Sequence, residues 1–168
     1  MSFLTPPPLR PIFASRRYGL FISHAWDYKG EYEGVVNLLN SDRSFLWNNL
    51  SVPEDKPLPV LLRLPKSYRY LVRQIDERIS KADCLLVLAG MYVAHRGWIQ
   101  SEIEAAKDFL KPIIAVRPRG NERFPDAVMH AANETVGWNT ASIIFAIRKH
   151  VVGAISRPSS PFMSPPKI

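Results

Sequence analysis

Apolar and polar positions along the chain fall into blocks whose period changes from one block to the next. "YGLFIS" (18–23) is a short apolar run that fits a buried strand. In "EYEGVVNLLN" (31–40), Tyr32, Val35, Val36 and Leu39 recur at helical spacing. "SFLWNNLSV" (44–52) reads as a second strand. "PEDKPLPVLLRLP" (53–65) carries four prolines and is expected to be a long irregular loop. "SYRYLVRQIDERISKA" (67–82) puts Tyr68, Leu71, Val72, Ile75 and Ile79 on one helical face, with Ser67 as N-cap. "DCLLVLAG" (83–90) is a continuous apolar run, as in a strand buried on both faces. "WIQSEIEAAKDFL" (98–110) is helical, with Ile99, Ile103, Ala106 and Leu110 facing inward. "PIIAVRP" (112–118) is a further strand. A loop or short helix leads to "ETVGW" (134–138), and "NTASIIFAIRKHVV" (139–152) closes as a helix capped by Asn139 or Thr140.

Strands that alternate with helices predict an α/β three-layer sandwich around a central parallel sheet of about five strands. Ligands of such sheets bind in the crevice outside the carboxyl ends of the strands. The folded domain is expected over 18–153. The flanking segments 1–17 and 154–168 hold eight of the fifteen prolines and no hydrophobic periodicity, so both are expected to be disordered, Pro-rich tails. The start of the chain lacks the basic-then-apolar pattern of a secretory signal, and no apolar run approaches the roughly 20 residues that span a bilayer, so no membrane partner is expected. Cys84, the single cysteine, lies inside "CLLVLAG" and reads as a buried thiol in a reduced, cytoplasmic setting.

The net charge of +7 raises the question of a nucleic-acid partner. Its distribution answers against one. Arg10, Arg16, Arg17, Arg157 and Lys167 sit in the two tails with no acid beside them, which leaves 17 basic and 15 acidic residues in 18–153. A basic groove on the folded body is not indicated.

Several sites are excluded by their motifs. The chain has neither GxGxxG after the first strand nor GxxxxGK[ST], and "SHAWDYKGEY" is too bulky for a flavin phosphate loop. A phospho-acceptor receiver would end its third strand in Asp, where this chain has "VLAG". His24, His95, His130 and His150 have no metal-ligand spacing, so no metal is expected. Two clusters remain. In Ser23, His24, Trp26 and Asp27, a Ser or Asp caps the next helix and Trp26 packs at an edge, or the group lines the crevice. Trp98 and Glu102 are four apart, hence one above the other on a helix. Glu102 is there either a solvated first-turn acid favoured by the helix dipole or a carboxylate beside an aromatic platform, suited to an oxocarbenium ion or a proton at a sugar.

These residues also carry a family resemblance. "GLFISHAWDYKGEYEGVVNLL", "NNLSVPED", "IDERISKADCLLVLAGMYVAHRGWIQSEIEAA", "KPIIAVRP" and "VGWNTASIIFAIRKH" together resemble a TIR-like domain of the bacterial branch found in Thoeris anti-phage systems. The resemblance covers about 18–150 and implies a flavodoxin-like fold. It implies cleavage of NAD+ at the nicotinamide–ribose bond, with NAD+ as substrate and no cofactor. Trp98 to Ile103 match the family's W-C-x-x-E-L, which gives Glu102 the catalytic role and leaves Ile99 where the family has Cys. Ser23, His24, Ala25, Trp26 and Asp27 match the loop after the first strand that helps hold the dinucleotide, with Trp98 beside them as a substrate-binding residue. Residues 53–65 match a loop used in TIR self-association. The implied role is production of an ADP-ribose-derived, cyclic signal in anti-phage defence, which activates a separate effector through a diffusible nucleotide. A non-catalytic adaptor acting through TIR–TIR assembly is the alternative.

Overall fold

The structure is a computed structural model that describes residues 16–23, 29–52, 65–88, 96–117 and 125–155. The tails up to 15 and from 156, most of the four-proline segment, and His24, Ala25, Trp26 and Asp27 lie outside the described residues.

Each apolar run expected as a strand contains one. Strand β1 (Tyr18–Ser23) is buried at every position but Gly19. Helix α1 (Lys29–Ser41) buries Val35 and Leu39, while Tyr32 and Val36 are half-buried. Strand β2 (Trp47–Asn49) is shorter than its expected 44–52. The Asp42 carboxylate accepts from the Ser44 N–H at 2.8 Å and the Ser44 hydroxyl at 2.7 Å, so those residues form a turn. Phe45, ahead of the strand, stacks on Tyr18, with ring centroids 5.1 Å apart.

Helix α2 (Pro65–Lys81) begins two residues before Ser67, which is therefore inside the helix and not its N-cap. Proline suits the first helical turn because its missing N–H is not needed there. Ile75 and Ile79 are buried as expected, and the side chains of Tyr68 and Leu71 are outside the described residues. Strand β3 (Cys84–Leu88) is buried throughout. Helix α3 (Arg96–Asp108) turns Ile99, Ile103, Ala105 and Ala106 inward. Leu110 is a correction: it lies past the helix, 85% exposed, at φ 54°. The Lys111 N–H donates to the Ala106 carbonyl and the Leu110 N–H to that of Lys107, which is the left-handed helix stop that glycine favours. The remaining elements are β4 (Ile113–Val116), α4 (Asp126–Ala131), β5 (Glu134–Val136) and α5 (Thr140–Ile155). Asn139 caps α5, its side-chain oxygen accepting from the Ser142 N–H at 2.9 Å.

The five strands are parallel in the order β2-β1-β3-β4-β5. In β1 and β3 the register runs from Leu20 opposite Cys84 to Ser23 opposite Val87. The order reverses direction at β1: the chain leaves to one side for β2 and returns on the other as β3. Right-handed crossovers then place α1 on one face and α2 and α3 on the other. The contacts agree, since α2 packs with α3 while α1 packs with α5. The core is the double-sided burial of β1, β3 and β4 between these layers. At the amino end of β1, Asp83 accepts from the Gly19 N–H at 2.8 Å and pairs with Arg16 at 2.9 Å, so the body's contacts extend to Arg16.

Two substitutions test this account by urea unfolding. Ile103→Ala should cost about 2–5 kcal/mol, because a fully buried branched side chain leaves a cavity under the sheet. Leu110→Gly should instead stabilise by up to about 1 kcal/mol, since it relieves a left-handed backbone and removes a side chain that buries little.

Candidate active site

Among the described residues the buried polar side chains are Ser23, Ser51 and Glu102, and all three bear on one place, the carboxyl end of β1. Ser23 is the last residue of that strand, at the point where the apolar run stops. The preceding Ile22 N–H donates to the Ser51 hydroxyl at 2.8 Å, just beyond the end of β2. The Leu50 and Ser51 carbonyls face the Arg78 guanidinium of α2, at 3.4 and 3.3 Å. Ser51 was not singled out from the sequence. Its role is visible only once β2 is seen to stop at Asn49 and leave the end of β1 needing an acceptor.

Glu102 comes from the opposite direction in the chain. Ile99 and Ile103 seat α3 against the sheet, and Glu102 lies between Ile99 and Ala105 around the helix, within the buried arc. Its side chain is carried into the interior, only 3% exposed. There the Ser23 hydroxyl donates to Oε2 of the carboxyl. The Trp98 indole N–H, one helical turn back, donates to the same carboxyl. The solvated first-turn acid is thereby excluded for Glu102. Glu104, two positions on, is a solvated acid of the same helix, and accepts from the Gln100 amide at 3.1 Å.

Burial pushes the Glu102 carboxyl from its ordinary 4.5 up to about 8, and the hydrogen bonds from Ser23 and Trp98 oppose that rise by favouring the charged form. A carboxyl poised near neutrality can act as an acid, as a base, or as a negative charge facing a developing cation. Of the residues expected in the site, Ser23, Trp98 and Glu102 are thus brought into one hydrogen-bonded group. His24, Ala25, Trp26 and Asp27 lie outside the described residues. Among the described residues no group of three or more His, Cys, Asp or Glu side chains could hold a metal ion.

The family described as "Thoeris protein ThsB, TIR-like domain" matches residues 21–123, more than half of the chain. The chain belongs to this family. The matched stretch contains Ser23, Trp98 and Glu102, so the hydrogen-bonded group lies within the TIR-like domain. No curated protein matches the chain. Among solved structures, CMP N-glycosidase BcmB of Clostridium botulinum is 14% identical, over 78% of this chain and 96% of that one, with a TM-score of 0.45. A 3-dehydroquinate dehydratase-like protein from Bifidobacterium longum is 7% identical, over 84% and 98%, with a TM-score of 0.44. At these values neither likeness carries an argument about this TIR-like domain.

The buried carboxyl makes stability depend on pH in a defined direction. Between 4.5 and about 8 the native state holds a proton on Glu102 that the unfolded chain has released. The native state therefore binds more protons in that window, and stability falls as pH rises through it. Urea unfolding should show the wild type losing stability from pH 5 to pH 8. Glu102→Gln, which has no proton to lose, should gain on the wild type over the same range, by on the order of a few kcal/mol at pH 8. Parallel curves for the two proteins would mean that this carboxyl titrates at its ordinary value.

Proposed function

We propose that this TIR-like domain cleaves NAD+ at the nicotinamide–ribose bond and makes an ADP-ribose-derived, cyclic signal, which reaches a separate effector in anti-phage defence. The observation that carries the reading is the Glu102 carboxyl, buried beside Ser23 and Trp98 at the carboxyl ends of β1 and β3. Family membership supports it, being consistent with NAD+-related signalling. The work takes place in the cytoplasm, where NAD+ is the substrate and no separate cofactor is needed.

Nicotinamide leaves as a neutral ring and carries away the bonding electron pair, so positive charge develops on the ribose. An ionised carboxylate in a poorly solvated site stabilises that charge far more than it would in water. The charge on Glu102 is available only to the extent that the carboxyl is ionised, so turnover should rise with pH toward about 8. Trp98 is half-buried beside the carboxyl, and its ring offers a face on which a flat base can stack. Self-association through TIR contacts completes the reading, and under it specific activity should fall when the protein is diluted a hundredfold.

The decisive measurement is NAD+ consumption followed by mass spectrometry of the products. Glu102→Gln keeps the side-chain volume and should lower turnover by about 10²–10³-fold. Glu104→Gln changes an exposed carboxylate on the same helix and should turn over NAD+ like the wild type. Wild-type rates in a folded Glu102→Gln protein would remove Glu102 from the chemistry. A wild type that leaves NAD+ intact at every concentration would point to an adaptor acting through TIR–TIR assembly.

A further inference from the structure

The resemblance to TIR-like domains groups Ser23 with the loop that holds the dinucleotide. Its surroundings assign it elsewhere. Ser23 is fully buried, at 0% exposure, and held in the sheet opposite Val87. A serine hydroxyl has one hydrogen to donate, and this one is given to Glu102 Oε2, from 79 residues away in sequence. The Trp98 indole has one N–H, given to the same carboxyl. The carboxyl is therefore held from two directions, by a strand end and by the preceding turn of its own helix. Its remaining lone pairs are what a substrate can meet.

We infer that Ser23 is a positioning residue: from the end of β1 its hydroxyl fixes the orientation and charge of the Glu102 carboxyl, and it acts on the reaction through Glu102 without touching substrate. The inference rests on the reading of Glu102 as the group that faces the ribose. Among the described residues no charged side chain offers Glu102 a competing partner. On α2, Arg78 is turned to the Leu50 and Ser51 carbonyls. Ahead of β3, Asp83 is paired with Arg16, and within it Cys84 is a buried thiol. On α3, Arg96 and Glu104 are exposed. Burial raises the Glu102 carboxyl, and no charged group among the described residues contributes to its position; the Ser23 and Trp98 donors are what oppose the rise.

The test is a titration of the Glu102 side-chain carboxyl carbon by NMR in the full-length protein, its resonance identified by its loss in Glu102→Gln. Ser23→Ala should move the midpoint upward by about one pH unit, because a donor that favours the charged form is gone. At pH 7 kcat should then fall about tenfold or more, with KM nearly unchanged, and raising the pH should recover part of the loss. Ser23→Cys keeps the side chain packed but supplies only a weak donor, so it should move both readouts the same way and serves if Ser23→Ala does not fold. An unmoved midpoint in a folded variant overturns the inference. A raised KM with unchanged kcat also overturns it, since Ser23 would then be holding substrate. Absence of NAD+ turnover in the wild type overturns the enzymatic reading instead, and the titration midpoint alone then decides whether Ser23 and Glu102 are coupled.

Discussion

Parallel pairing of β1 with β3 is the constraint on which the rest of this structure depends. The two strands are far apart in sequence, separated by α1, β2 and α2, yet they run side by side from Leu20 opposite Cys84 to Ser23 opposite Val87. Because the chain leaves β1 toward β2 and comes back on the other side as β3, the helices that follow β1 and β3 are sent to opposite faces of the sheet. No helix then crosses directly over the carboxyl ends of these two strands. That is the topological switch point at which open α/β sheets bind their ligands. Ser23, Ser51 and Glu102, the buried polar side chains among the described residues, bear on this end of β1.

The interior handles Cys84 and Glu102, both buried and titratable, differently. Cys84 is fully buried at the start of β3, and burial pushes its thiol far up, so it stays neutral and behaves as a small apolar residue. Glu102 is nearly as buried, and burial raises its carboxyl as well, but only to about 8, because two donors aimed at it oppose the rise by favouring the charged form. Removing a carboxylate from water without partners would cost far more than such a domain can spare. The pair Lys81–Glu77, 2.6 Å apart on the surface of α2, shows the opposite case: both groups remain in water and the bond adds little. Charge matters here where it is scarce and desolvated.

The apolar runs 18–23, 83–90 and 112–118 each contain the strand expected of them, because a strand buried on both faces leaves an unbroken hydrophobic signature. The shorter edge strand was legible in existence but not in extent. Asn48 and Asn49 are exposed, and the turn held by Asp42 takes residues that share the same composition. Leu110 continued the helical stripe of Ile99, Ile103 and Ala106 by spacing alone, but α3 stops at Asp108 in a left-handed turn occupied by a leucine instead of the usual glycine, so no glycine marked the end. Ser67 carried the composition of an N-cap, and the helix had already begun at Pro65.

The pairing of Trp98 with Glu102 was determined by the sequence, since four residues on a helix put two side chains on one face wherever that helix goes. So was the alternation of strands and helices, which depends on local period. Whether Glu102 met water or the interior could not be decided locally, because its position at the border of the expected stripe of Ile99, Ile103 and Ala106 fits either. Tertiary structure decided it by bringing the end of β1, 79 residues earlier, over the first turns of α3. Burial is set by what packs from elsewhere in the chain, and so is the identity of the donor that a buried carboxyl finds there.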